Sequence, residues 1–256
     1  MDYPILLLAT LLFAANCVLV VSQLMRGLVH VRRRSLVLMG AGFALQCWVL
    51  WERGTMQGRC PITSVFEILV FMSWAIVGWY FILGPTYRLS LLGFFTSALV
   101  VVLQGAALLP GVYKVGPDAP ATGADPWIEL HGSLSLLAYA AFGAAAIAGL
   151  MFLIQDHALK ARRPRNWSLQ LPPIRNLFQA MMLVTTLGGI LLAGGMAAGY
   201  AAMGTAGGAK LTVSWVVLGI YALLITLRWR GLSHRRVAIG AIVGFVLAVA
   251  SLWIVT

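Results

Sequence analysis

Long apolar runs separated by short polar or basic stretches dominate this chain. Eight can be delimited, near 4–25, 35–51, 62–83, 89–109, 130–155, 178–203, 211–228 and 236–255. Most approach the ~20 residues that a helix needs to cross a bilayer. In lipid every backbone N–H and C=O must be satisfied inside the segment, so such runs predict helices. The pattern therefore predicts an all-α polytopic membrane bundle of about eight transmembrane helices, one integral membrane domain over residues 1–256. The first run has no basic segment before it and no small-residue cleavage site, which predicts a retained helix rather than a signal peptide.

Composition agrees: 61% of residues are hydrophobic, 10% are charged and the mean hydropathy is +0.92. That balance excludes an ordinary soluble domain. The formal charge of +11 would suggest a nucleic-acid partner in a soluble protein, but its distribution along the chain points to topology instead. The loops on one side hold 14 of the 18 Lys and Arg residues with a single acid, Asp156. Those on the other side hold Arg53, Arg59, Lys114 and Lys210 against Asp2, Glu52, Glu67, Asp118, Asp125 and Glu129. The positive-inside rule then places the basic side in the cytoplasm and both termini outside. Membrane lipid is the expected partner of the basic loops, including the one around His157 and Pro164, and no nucleic acid is expected. His30 and His234 read as solvated residues within such loops.

Cys17, Cys47 and Cys60 form no C-x-x-C pair, hence neither a redox motif nor a zinc site, and the first two read as apolar fillers. The Gly195-x-x-x-Gly199 spacing in the sixth run predicts close helix packing. The long outer loop from Gly111 to Glu129 reads as a flexible cover.

Candidate chemistry gathers toward the acidic side. His131 stands where a polar, proline-bearing stretch passes into an apolar helix, and Ser135 and Tyr139 follow at i+4 and i+8 on roughly the same face. Gln46, Glu67, Gln104 and His131 all fall in the outer parts of their helices. Polar groups at that depth usually face a cavity or one another, so a shared outer site is expected, with separate interhelical hydrogen bonds as the plainer alternative. Glu67 has two readings. In Ser64-x-x-Glu67 it closes a capping box, and at the edge of a membrane helix it is placed to orient a histidine or a ligand. No phosphate loop, dinucleotide fingerprint, metalloprotease motif or nucleophile elbow is visible, and no catalytic set is expected. An outward-facing histidine with aromatic neighbours suits axial ligation of haem iron, with Phe66, Phe71, Trp74 and Trp127 as candidate apolar walls.

Two ordered motifs carry a resemblance. Pro61-Ile62-Thr63-Ser64-Val65-Phe66-Glu67, followed by Phe71-Met72-Ser73-Trp74, resembles the first motif of the cytochrome c assembly family, the CcsA, CcmC and HemX-like membrane proteins. The stretch from Leu130 to Phe142 is similar to that family's histidine-bearing helix. Lys210-Leu211-Thr212, Tyr221 and Arg228 resemble the segment downstream of its tryptophan-rich motif. The resemblance covers roughly residues 35–256. It implies a cytochrome c biogenesis protein, multi-pass in a bacterial inner membrane, that handles or presents haem at the outer face. His131 would be the axial ligand, with Glu67, Tyr139 and Trp127 around the cofactor. Other maturation proteins and apocytochrome c would be its partners.

The loop from Gly204 to Lys210 has neither the repeated Trp nor the Asp of the haem-handling members. Gln46 and Arg228 stand where CcsA-type members carry membrane histidines. These departures favour the HemX-like branch. They leave two other readings open, a regulator of tetrapyrrole synthesis that holds no haem stably, and a small-molecule permease.

Overall fold

The computed structural model describes residues 2–26, 32–87, 91–113, 125–160, 172–203 and 208–255. These form eight α-helices: α1 (Asp2–Met25), α2 (Arg32–Gln57), α3 (Val65–Thr86), α4 (Leu92–Ala107), α5 (Pro126–Lys160), α6 (Ile174–Met203), α7 (Gly208–Trp229) and α8 (His234–Val255). No strand occurs among the described residues. Seven helices are long and apolar enough to cross a membrane. The exception, α4, has 16 residues and rises about 24 Å, short of the ~30 Å hydrocarbon layer. His30, most of the expected cover loop, the basic loop at 161–171 and residues 204–207 lie outside the described residues.

The helices form two groups. In the first, α1 packs on α2 and α4, and α3 on α4; in the second, α6 and α8 pack on α5, and α7 on α6 and α8. The contact between α3 and α5 joins the groups. The hub, α5, is buried along most of its middle, from Leu136 to Phe152. Nine of those 17 residues are Ala or Gly, which lets three neighbours approach its backbone. A Cβ on Gly143 would stand 3.0 Å from Phe245 of α8 and 3.2 Å from Ile76 of α3.

Two of the helix boundaries that differ from those expected do so for identifiable reasons. α2 runs six residues beyond the apolar run, through Glu52-Arg53, because Arg53 is buried and paired rather than solvated. α5 begins at Pro126, so Trp127–Glu129 are helical and not part of a loop. Asp125 accepts the Trp127 N–H on its carboxylate at 2.9 Å and the Ile128 and Glu129 N–H groups on its carbonyl, while Pro126 occupies a first-turn position where no N–H is needed. His131 consequently sits in the second turn of a helix already under way.

Polar ties close both ends of the bundle. At one end Arg53 of α2 donates to Asp2 of α1 at 2.5 Å and to Glu67 of α3 at 3.3 Å. Its guanidinium lies 4.4 Å above the Phe66 ring, and Tyr113, beyond α4, reaches Asp2 at 3.3 Å. At the opposite end Asn176 of α6 donates to the Tyr87 carbonyl after α3 at 3.1 Å.

Arg53 is 4% exposed and Glu67 1%, so removing the cation would take the countercharge from two carboxylates. Arg53→Met should therefore cost on the order of 3–5 kcal/mol, whereas Lys160→Met, which breaks the exposed pair with Asp156, should cost under about 1 kcal/mol. Thermal unfolding of the two detergent-purified variants checks the contrast. Equal midpoints would show that the buried cluster holds nothing together.

Candidate functional site

His131 projects from α5 against the glycine face of α6. Its Nδ1 lies 2.7 Å from the Gly195 carbonyl oxygen. A carbonyl only accepts, so Nδ1 carries the proton and Nε2 keeps its lone pair in the neutral ring. The close approach depends on two missing side chains. A Cβ on Gly199 would fall 2.8 Å from His131 Nδ1, and one on Gly195 would fall 2.8 Å from Ser135 Oγ and 3.2 Å from the His131 carbonyl. The Gly195-x-x-x-Gly199 spacing thus does what close packing predicts, and its specific result is a slot for the imidazole. His131 is half-buried there, and Ser135 Oγ, one turn on, is buried without a hydrogen-bond partner.

Glu67 closes the capping box at the start of α3: Ser64 Oγ accepts the Glu67 N–H at 3.3 Å, and Glu67 Oε2 accepts the Ser64 N–H at 3.3 Å. The same Oε2 accepts from the Thr63 N–H and hydroxyl, each at 2.8 Å, and Oε1 accepts from Arg53 and from Gln57. Both carboxylate oxygens are therefore engaged by α2 and by the turn before α3, and none of these bonds leads to His131.

The remaining expected site residues are spread out. Tyr139 lies two turns below His131, about 12 Å along the helix axis, buried beside Ser251 of α8. Trp127 is half exposed at the start of α5. Phe66 is fully buried under Arg53 and Tyr113, while Phe71 and Trp74 pack together, with Trp74 Nε1 donating to Cys47 Sγ at 3.2 Å.

Gln46, Gln104 and Asn16 each make their own interhelical bond. Gln46 donates to Ser73 at 3.1 Å, Thr10 donates to Gln104 at 3.0 Å, and Asn16 donates to Ser97 at 2.8 Å. The expectation of one shared outer cavity thus resolves into separate polar ties, the plainer of the two alternatives. Polar groups inside apolar helices seek whichever partner their own helix pair offers, and each of these found one.

The starts of α3 and α5 nonetheless adjoin. Ile62 in the turn before α3 packs directly over Gly132, and Cys60 lies between the two helix starts. Burial first, then the negative charges of Glu129 and Glu67, push its thiol above the usual range, so it stays protonated and inert near neutral pH.

Three participants carry no sequence signature of their roles: Arg53, Asp2 and Gln57, which look like loop charges or solvated polar residues. The available signal was the spacing of Trp51-Glu52-Arg53 with Gln57, which continues the period of α2. His234, expected to be solvated, packs edge-on to Phe178 at 4.2 Å and accepts from Arg228 at 3.0 Å. Among the described residues no group of three or more His, Cys, Asp and Glu side chains is placed to cage a metal ion.

Several known proteins are similar to this chain. The chain is 27% identical to the protein HemX of Brevibacillus brevis over 87% of its own length and 84% of that protein's. It is 23% identical to the protein HemX of Bacillus subtilis over 68% and 65% of the two chains. With the cytochrome c biogenesis protein CcsA of Trichormus variabilis it shares 29% identity, over 41% of this chain and 31% of that one. The family model described as cytochrome c assembly protein matches residues 62–256, from the turn before α3 onward. This multi-pass membrane protein belongs to the cytochrome c assembly protein family.

Proposed function

We propose that this chain handles haem during cytochrome c biogenesis, with His131 as an axial ligand to the iron at the outer face of a bacterial inner membrane. The observation that carries the reading is the bond between His131 Nδ1 and the Gly195 carbonyl. Metal-ligating histidines are commonly fixed in this way by an acceptor on the far ring nitrogen, which sets the tautomer and orients the lone pair. Bound haem would supply an iron that takes an imidazole nitrogen in an axial position. The protein's part is to present Nε2 and hold the ring still. Gly195 and Gly199 admit the imidazole, α5 and α6 clamp it, and the half-exposed Trp127 stands one turn outward. Glu67 and Arg53 act at a distance, by holding α3 against α2. Tyr139 lies too deep to reach the iron and belongs to the wall beneath.

His157 is 26 residues further along α5, about 39 Å away along the axis, and His234 lies at that same far end. A second axial ligand would therefore come from outside the described residues, from a partner protein or from the transferred apocytochrome c. The charge asymmetry supports the orientation, with both termini and His131 on the arginine-poor side.

A second reading has its own support. The relatives named HemX align over far more of the chain than the CcsA proteins do. On that reading the protein tunes tetrapyrrole synthesis from its arginine-rich face without holding haem. His131→Ala would then leave its effect intact, and substitutions at the basic end would abolish it.

Reduced-minus-oxidised absorption spectra of the detergent-purified protein separate the two. Wild type should show a Soret band after haem is supplied, and His131→Ala, eluting as the same monodisperse species, should lose at least about tenfold in haem retained. Wild type that takes up no haem would end the ligand proposal. The glycine slot gives a test independent of haem. Gly199→Ala should destabilise the protein by about 1–3 kcal/mol by crowding the imidazole. In the His131→Ala background the same change should cost about 1 kcal/mol less, because the crowded atom is gone. Strict additivity would show that the slot does not position the ring.

A further inference from the structure

The end of the bundle opposite His131 contains a cavity of about 580 Å³ between the end of α5, the starts of α6 and α8 and the end of α7. Its floor is apolar, from Phe152, Ile174 and Phe178. Its rim carries Lys160, Arg175, Arg228 and Arg235. The one acid in the lining, Asp156, is paired with Lys160 at 2.6 Å, which leaves three arginines without an acidic partner among the described residues. The first turns of two helices, α6 and α8, also line the cavity through Arg175 and through His234 and Arg235, so the positive ends of two helix dipoles add to its potential.

Arg228 is held ready. One terminal nitrogen donates to the Leu232 carbonyl at 3.2 Å and the other to His234 Nε2 at 3.0 Å, while the guanidinium lies 5.2 Å above the Phe178 ring. Two of its five N–H donors are used there, and three are left for a ligand. His234 accepts only as the neutral ring, so it steadies Arg228 without adding charge.

We infer that this cavity is a binding site for the phosphate of an anionic membrane lipid, with the headgroup on the three arginines and the first acyl carbons on Phe152 and Phe178. Several observations favour a lipid over a free anion. The space is far larger than one phosphate needs, much of its wall is apolar, and it sits at the ends of spanning helices, where headgroups lie. Basic pockets between membrane helices hold acidic headgroups by this combination of charge and apolar stem contact. The site is separate from the haem reading, because no residue of it touches His131.

The test uses the full chain in phosphatidylcholine nanodiscs doped with phosphatidylglycerol, read by lipid retained in native mass spectrometry. Wild type should retain phosphatidylglycerol over phosphatidylcholine by at least tenfold, and millimolar inorganic phosphate should not displace it. Arg175→Gln combined with Arg235→Gln, both exposed and so harmless to folding, should remove most of that preference. Arg228→Lys, which keeps the charge but loses the fork, should weaken it severalfold. Undiminished preference in the double variant, or equal retention of the neutral lipid by wild type, would overturn the site. Full displacement by inorganic phosphate would assign it to small soluble anions and overturn the lipid.

Discussion

Everything in this bundle depends on how little side chain the middle of α5 carries. Between Ala138 and Gly149 the helix is almost bare, and α3, α6 and α8 press against its backbone from three directions. Lipid gives helices no hydrophobic reason to associate, so contact must come from dispersion across closely fitted surfaces. Bulky residues of the neighbours, with the few that α5 itself carries, supply the filling. Phe142 stacks on Tyr221 at 3.6 Å, and Phe245 fills the space over Gly143. The same economy of volume on α6, at Gly195 and Gly199, brings a ring nitrogen within bonding distance of a main-chain oxygen. Packing and chemistry at His131 are thus one arrangement.

The order and number of helices were legible because hydropathy over 20 residues is a strong signal and the backbone has no alternative in lipid. The ends were less so, since a buried, paired arginine such as Arg53 is indistinguishable by composition from a solvated one. Ser64-x-x-Glu67 was readable as a cap because capping is local, involving residues three apart. The partners of Glu67 on α2 were not, because they depend on how two helices happen to meet. His131 stood out in the sequence as a lone histidine at an apolar boundary. Its acceptor did not, since a glycine carbonyl 64 residues away carries no residue-type signature. The Gly195 and Gly199 pair announced close approach without saying to what.

The two ends of the molecule have opposite characters. One holds a histidine with a fixed tautomer and a buried ionic cluster; the other holds arginines grouped around an aromatic floor. The structure thus divides the polar chemistry of a multi-pass protein between its two ends. α5 runs the full length between them and contributes His131 at one end and Phe152, Asp156 and Lys160 at the other.

The cluster around Arg53 also bears on how the chain assembles. Asp2 precedes it by two crossings, but Glu67 becomes available only with α3, and Tyr113 only after α4. During synthesis the guanidinium therefore emerges at the end of α2 with Asp2 as its acidic partner and its bond to Glu67 still to come. The first two helices form a provisional hairpin, and the arrival of α3 closes it. An intermediate lacking α3 therefore leaves the guanidinium paired with Asp2 but without its Glu67 bond and without the Phe66 ring that covers it.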